Sequence, residues 1–400
     1  MDRKRLAIDG GTPIRKSYLP YGKQDLDQSD VAAVVQVLQS DYLTTGPMID
    51  TFEKSIAAYV GSRYAIAFSS GTAALHAACF AAGIKENDQV ITTPITFAAT
   101  ANAIKYQGGE VVFADIDAKT YNISAEAIEA LITDQTKAII SVDFSGQPVD
   151  YKKIREIANR YQIPFISDAA HGLGAVYEGE KIGSLADMTM FSFHPVKHIT
   201  TGEGGVITTN NEQYFQKLKN FRNHGIVRDQ EKLHKKNQPW YYEMQSLGFN
   251  YRMSDIHAAL GVNQAKKIDG YLNKRIAIAQ KYTEGFRDFE LLTPPFQLEG
   301  VESSWHLYVI RLHLEKLTVR RKEIYQALQK ENIGVNVHYI PVYFHPYYQA
   351  LGYKKGLCPH AEQLYEEMLT LPLFPKMTSQ DVSDVIMAVK KVLQYYEVRA

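Results

Sequence analysis

Residues 191–205 read FSFHPVKHITTGEGG, and the fold turns on how that stretch is understood. An apolar run, MTMFSF at 188–193 with Ser192 near its end, breaks off into His194 and Pro195. One lysine, Lys197, follows, and a Thr- and Gly-rich segment then leads into a second apolar run, GVITTN at 205–210. A loop lysine is ordinarily a solvated cation. A lysine desolvated near a cationic ring nitrogen loses proton affinity and becomes a nucleophilic amine near neutral pH.

Upstream lie five more short apolar runs: YAIAFS (64–69), QVITTP (89–94), EVVFADI (110–116), KAIISVDF (137–144) and IPFISDA (163–169). Little polar alternation within them, and amphipathic helical patterns such as 124–132 and 151–162 between them, predict a largely parallel sheet covered on both faces. Before the sheet, 27–40 reads as a helix capped by Ser29 or Asp27, followed by the loop DYLTTGP. Beyond residue 250, a helical stretch over roughly 254–288 has Gly261 and Gly270 as candidate breaks. SWHLYVIRLH and IGVNVHYI then read as strands, and the last helix is capped by Thr378 or Ser379. Two domains are predicted. Residues 1–250 hold an N-terminal arm and a large α/β domain, and residues 251–400 a linking helix and a smaller α+β domain.

The whole chain narrows the function. Its 400 residues carry 44 Lys+Arg and 44 Asp+Glu, for a formal net charge of zero. That balance gives no support to nucleic-acid or anionic-membrane partners. Cys79 and Cys358 are far apart, and no disulfide framework or metal site is expected. The N-terminus lacks the apolar segment of a secretory leader, and no apolar run is long enough to span a membrane. A cytoplasmic protein is the expectation.

Three short motifs carry chemistry. In SSGTAAL, Ser69-Ser70 end a strand and Gly71-Thr72 open a helix, so the hydroxyls either cap that helix or join its free N–H groups around a phosphate. In SDAAHGLGA, Asp168 ends an apolar strand, where a buried carboxylate needs a partner. His171 lies three residues on, either bonded to backbone or facing the same ligand. The third motif is the Lys197 loop. Pyridoxal 5′-phosphate (PLP) requires a phosphate cradle, a carboxylate for its ring nitrogen and a lysine for its aldehyde. All three are available on one sheet.

Together SSGTAAL, SDAAHGLGA and FSFHPVKHITTGEGG resemble the DegT/StrS group of nucleotide-sugar aminotransferases, and TTPITFAATANAI, LGFNYRMSDIHAALG and SSWHLYVI extend the likeness over the whole chain. PITFAATANA, PWYYE and VNVHYIPVYFHPYY are most similar to its pseudaminic-acid branch. The resemblance implies a fold type I PLP-dependent transferase, with a mixed, mostly parallel seven-stranded sheet and a small C-terminal domain. It implies that Lys197 forms the Schiff base and Asp168 keeps the pyridine nitrogen protonated. Gly71, Thr72 and Ser192 match phosphate contacts, Phe97 the stacking aromatic, and His171 a ring contact. Asn250 matches a residue that reaches the cofactor phosphate of a neighbouring subunit, hence a homodimer with shared active sites. Tyr21, Asp41, Tyr42, Leu43, Thr44, Ser70, Asn336, Val337, His338 and Tyr339 match positions that hold a sugar nucleotide. The implied substrates are L-glutamate and a UDP-4-keto-6-deoxy-N-acetylhexosamine. Other readings are a GDP- or dTDP-sugar aminotransferase, a sugar dehydratase (whose relatives carry His in place of Lys197) and a ligand-sensing regulator.

Overall fold

The computed structural model describes residues 5–235 and 238–398. Its main sheet has seven strands, in the spatial order Tyr64–Phe68, Gly205–Thr209, Met188–Ser192, Phe165–Asp168, Thr136–Val142, Gln89–Thr92 and Glu110–Phe113. Gly205–Thr209 runs antiparallel to both its neighbours, and the remaining pairs are parallel. All seven apolar runs are therefore strands of one sheet, as expected, and the sheet is mixed. The strands are shorter than the runs because trailing residues such as Pro94 and Phe144 turn out of the ladder.

Separate apolar cores cover the two faces of the sheet. The helix Gly71–Ala81 is buried on almost every side, and its Ala73, Ala74, Ala77, Ala78 and Cys79 are at most 5% exposed. Small side chains let this helix lie close to the sheet, which fixes its N-terminus at the strands' carboxyl edge.

A third core forms the C-terminal domain from the helices Ile268–Phe286, Arg321–Lys330 and Ser379–Tyr396 and a three-stranded sheet centred on Tyr308–Leu312. The last helix is capped by Thr378 and the helix Gln28–Leu38 by Asp27, each in a capping box. Grouped with residues 1–250 on sequence, the arm makes its contacts on this third core. Leu6 and Leu19 are buried in it, Leu19 bridges to Ile333, and Arg15 Nη1 lies 2.7 Å from both Asp381 and Asp384.

Two expectations beyond residue 250 are corrected. The helical stretch divides at 266–267 into Asp255–Ala265 and Ile268–Phe286, and neither glycine is the break. Gly261 is set by packing: a Cβ there would stand 2.7 Å from Phe52 Cε2 and 2.8 Å from Thr201 Cγ2. IGVNVHYI is not a strand. Ile333 makes one isolated bridge, to Leu19, and Asn336 another, to Thr370, and the residues around them join no ladder. Among the described residues, no helix is long and apolar enough to cross a membrane.

Candidate active site

The carboxyl edge of the sheet gathers the three motifs. Ser70 is the N-cap of Gly71–Ala81, its hydroxyl accepting from Ala73 N at 3.1 Å. The first backbone N–H groups of the helix, at Gly71 and Thr72, have no partner four residues back, which leaves an anion cradle. Ser192 closes the cradle from the end of Met188–Ser192: a Cβ on Gly71 would meet its Cβ and Oγ at 3.4 Å. Gly205 packs from beneath, where a Cβ would lie 2.6 Å from Ser70 O and 2.8 Å from Gly71 N. Gly205→Ala must therefore push the cradle out of shape, at about 1–3 kcal/mol. We expect about tenfold or greater weakening of PLP binding, measured by titrating the visible cofactor absorbance, in a protein that still melts cooperatively.

Asp168 ends its strand and is 4% exposed. Thr100 Oγ donates to its Oδ2 at 2.6 Å and Ala170 N to its Oδ1 at 3.1 Å. Burial raises its pKa, and these two bonds and the Lys197 charge oppose the rise. Desolvating a carboxylate costs several kcal/mol, and hydrogen bonds to a charged group return about 1.5–3 kcal/mol each. A cation against the free side of the carboxylate would offset the remainder of that cost.

Lys197 stands in the loop 193–204 between two antiparallel neighbours, Met188–Ser192 and Gly205–Thr209. The loop's polar residues tie it to itself. Thr200 Oγ donates to Phe193 O at 3.0 Å, Thr201 Oγ to Glu203 O at 2.7 Å, and Gly202 turns at φ +81°. Lys197 N donates to His194 O at 2.9 Å. Its side chain is partly buried. Burial lowers its pKa to about 8, with Arg275 adding to the drop and Asp168 opposing it. Near neutral pH a usable fraction of this amine is uncharged.

Around that lysine the extended segment 336–339 returns from the small domain. Tyr339 OH is hydrogen-bonded to His171 Nε2 at 3.1 Å, their rings nearly parallel. His338 Nδ1 is 3.0 Å from Thr370 Oγ, and burial lowers this imidazole to about 4, with the Lys197 charge adding to the effect. Asn336 Nδ2 is 3.4 Å from His338 Nε2, Val337 packs on two cores, and Tyr21 lies 5.3 Å from the His338 ring. Phe97 is 63% exposed at the mouth, 6.2 Å from the Tyr339 ring. Burial holds His171 neutral, and its Nδ1 has no partner.

Two groups of expected residues stand apart within the one chain. Asp41, Tyr42, Leu43 and Thr44 are exposed, and the loop's contacts run to the start of Asp255–Ala265, through Leu43 O accepting from Asp255 N and Thr44 bridging to Ser254. Asn250 is exposed beside Tyr251, whose carbonyl accepts from Ser69 N at 2.8 Å. It therefore lies near the cradle but outside it.

Sequence reasoning passed over Thr100, although its backbone N–H bonds to the carbonyl of Phe97, a residue it had singled out. It also passed over Ser304 and His306, in the quoted SSWHLY, and over His198 and Arg275. Their roles appear only when segments 30 to 133 residues apart meet.

The family model described as the DegT/DnrJ/EryC1/StrS aminotransferase family matches residues 24–390. The chain belongs to that family. It is 41% identical over 382 residues to the spore coat polysaccharide biosynthesis protein SpsC of Bacillus subtilis, covering 95% of this chain and 98% of that protein. It is 40% identical over 370 residues to the UDP-4-amino-4,6-dideoxy-N-acetyl-beta-L-altrosamine transaminase of Campylobacter jejuni, covering 92% of this chain and 95% of that protein. The solved structure of Helicobacter pylori PseC, an aminotransferase involved in the biosynthesis of pseudoaminic acid, superposes with a TM-score of 0.89 at 34% identity, over 95% of this chain and all of that one. This chain is thus a PLP-dependent nucleotide-sugar aminotransferase of the DegT group. The residues present fit the cofactor: an open helix N-terminus closed by Ser192, a buried carboxylate lacking a bonded cation, the unpartnered Nδ1 of His171, and a lysine of lowered pKa.

Proposed function

We propose that the chain moves an amino group from L-glutamate to the C4 keto group of UDP-2-acetamido-2,6-dideoxy-β-L-arabino-hex-4-ulose. The product is UDP-4-amino-4,6-dideoxy-N-acetyl-β-L-altrosamine, a step in pseudaminic acid biosynthesis. The observation that carries this reading is 40% identity over 92% of the chain to a transaminase named for that product. The 41% identity to a spore coat polysaccharide protein favours a second reading, in which another 4-keto-6-deoxy sugar nucleotide, GDP- or dTDP-linked, is the acceptor.

Bound PLP supplies an aldehyde to hold the amino group and a pyridine ring to take up electrons. The chain's own residues do the rest. Lys197 Nζ would hold the cofactor's aldehyde at rest and, as a free amine, would take the proton from the α-carbon of L-glutamate and deliver one to C4 of the sugar. Asp168 keeps the ring nitrogen protonated, Gly71, Thr72 and Ser192 hold the phosphate, Ser70 faces the sugar nucleotide, and Phe97 covers one ring face. Tyr21 and 336–339 orient the sugar, and His171, kept neutral, fixes Tyr339. The exposed Asp41–Thr44 loop and Asn250 serve the neighbouring site of a cytoplasmic homodimer. In this reading they stand apart because a subunit completes its partner's site.

Product NMR from UDP-4-keto-6-deoxy sugars of both C5 configurations, with dTDP and GDP analogues alongside, tests the assignment. The β-L-arabino ketone is expected to be aminated at least about tenfold faster than the others. Preference for a dTDP or GDP sugar would move the assignment to the second reading.

A further inference from the structure

Behind Lys197 lies a charge that transamination does not obviously need. Arg275, on the helix Ile268–Phe286 that joins the domains, is 1% exposed. Its Nη1 donates to the carbonyls of Trp305 at 3.2 Å, His306 at 3.2 Å and Leu373 at 3.1 Å, and its Nε has no partner. Among the described residues it forms no salt bridge. A buried guanidinium without a carboxylate is costly to keep, so its retention calls for a use.

The segment 303–306 links it to the reacting lysine. Ser304 Oγ donates to His171 O at 2.7 Å, and Ser304 O accepts from His198 Nε2 at 3.1 Å. The His306 ring lies 4.3 Å from that of His171 and 5.4 Å from that of His198, the residue next to Lys197. The Nδ1 atoms of both His171 and His306 are buried and unpartnered. A proton on His198 or His306 would meet the charges of both Lys197 and Arg275, and one on His171 that of Lys197.

We propose that Arg275 is a positioning residue for amino transfer: an uncompensated cation at the domain junction that keeps the neighbouring imidazoles of His306 and His198 uncharged and presents Lys197 as a free amine. Other groups face Lys197 as well. Asp168 opposes the effect from its strand end, and His338, on the segment 336–339, adds to it only if protonated. Burial and the like charges of Lys197 and Arg275 lower His198 and His306 well below the ordinary histidine range.

The inference rests on Lys197 being the reacting lysine. Competitive acetylation of Lys197 across pH, in full-length protein freed of cofactor and read by mass spectrometry, tests it. The midpoint is expected near 8. Arg275→Met is expected to raise it by roughly one pH unit, because a like charge is removed, while Arg275→Lys, which keeps the charge, restores it. In the holoenzymes the acid limb of kcat against pH is expected to move the same way. An unmoved midpoint in a folded Arg275→Met protein overturns the inference. Should that variant not fold, histidine ¹⁵N spectra of the unaltered protein decide: His198 and His306 both neutral down to about pH 5 supports it, and either of them charged above about pH 6 overturns it. If PLP does not protect Lys197 from acetylation, the assignment of the lysine itself fails, which is a separate result.

Discussion

Lys197→Ala is expected to abolish amino transfer, by roughly 10⁴-fold or more, since one amine serves both as covalent anchor and as proton carrier. The visible absorbance of the lysine-bound cofactor should vanish with it. PLP itself should still bind, because the cradle at Gly71, Thr72 and Ser192 belongs to other elements of the fold. Lys197→Arg should be equally inactive: a guanidinium keeps its proton at all usable pH values. The measurement is single-turnover conversion with L-glutamate, followed by absorbance and by mass of the sugar product. Normal turnover in Lys197→Ala would remove the basis of the scheme.

Asp168→Asn is the second large effect, a loss of about 10²- to 10³-fold in kcat. The amide has the carboxylate's shape, can still accept from Ala170 N, and meets in Thr100 a hydroxyl that can reverse its role. Folding should therefore survive. What is lost is the negative charge that keeps the ring nitrogen protonated, so attachment to Lys197 persists while proton removal from the donor slows. Rapid-mixing absorbance separates these steps. An Asn variant with wild-type proton removal would show that Asp168 merely shapes the pocket.

Much of this was legible in the order of residues. Strands buried on both faces carry unbroken apolar runs, so all seven could be counted, and the helix Gly71–Ala81 announced itself by small side chains that only a fully buried helix needs. Ser69-Ser70-Gly71-Thr72, Asp168 and Lys197 each sit where a strand ends, and strand ends are marked locally by a change from apolar to polar or Gly-rich sequence. The alternation that suggested a strand at IGVNVHYI misled, because those side chains are divided between two cores and the site and no ladder partner runs beside them. The glycines in 254–288 misled as well. A glycine that admits a neighbouring ring, as Gly261 admits Phe52, looks in sequence like one that ends a helix.

The sequence by itself determined the large sheet, the family and the three strand-end groups a PLP site requires, since each depends on contacts within a few residues. Only the tertiary structure decided that the N-terminal arm lies on the C-terminal core, that Thr100 steadies Asp168 across 68 residues, and that Arg275 comes to lie behind Lys197. The physical reason is range. Backbone propensity and burial pattern are written locally. A buried charge or an unpartnered imidazole takes its meaning from whatever distant segment the fold brings against it.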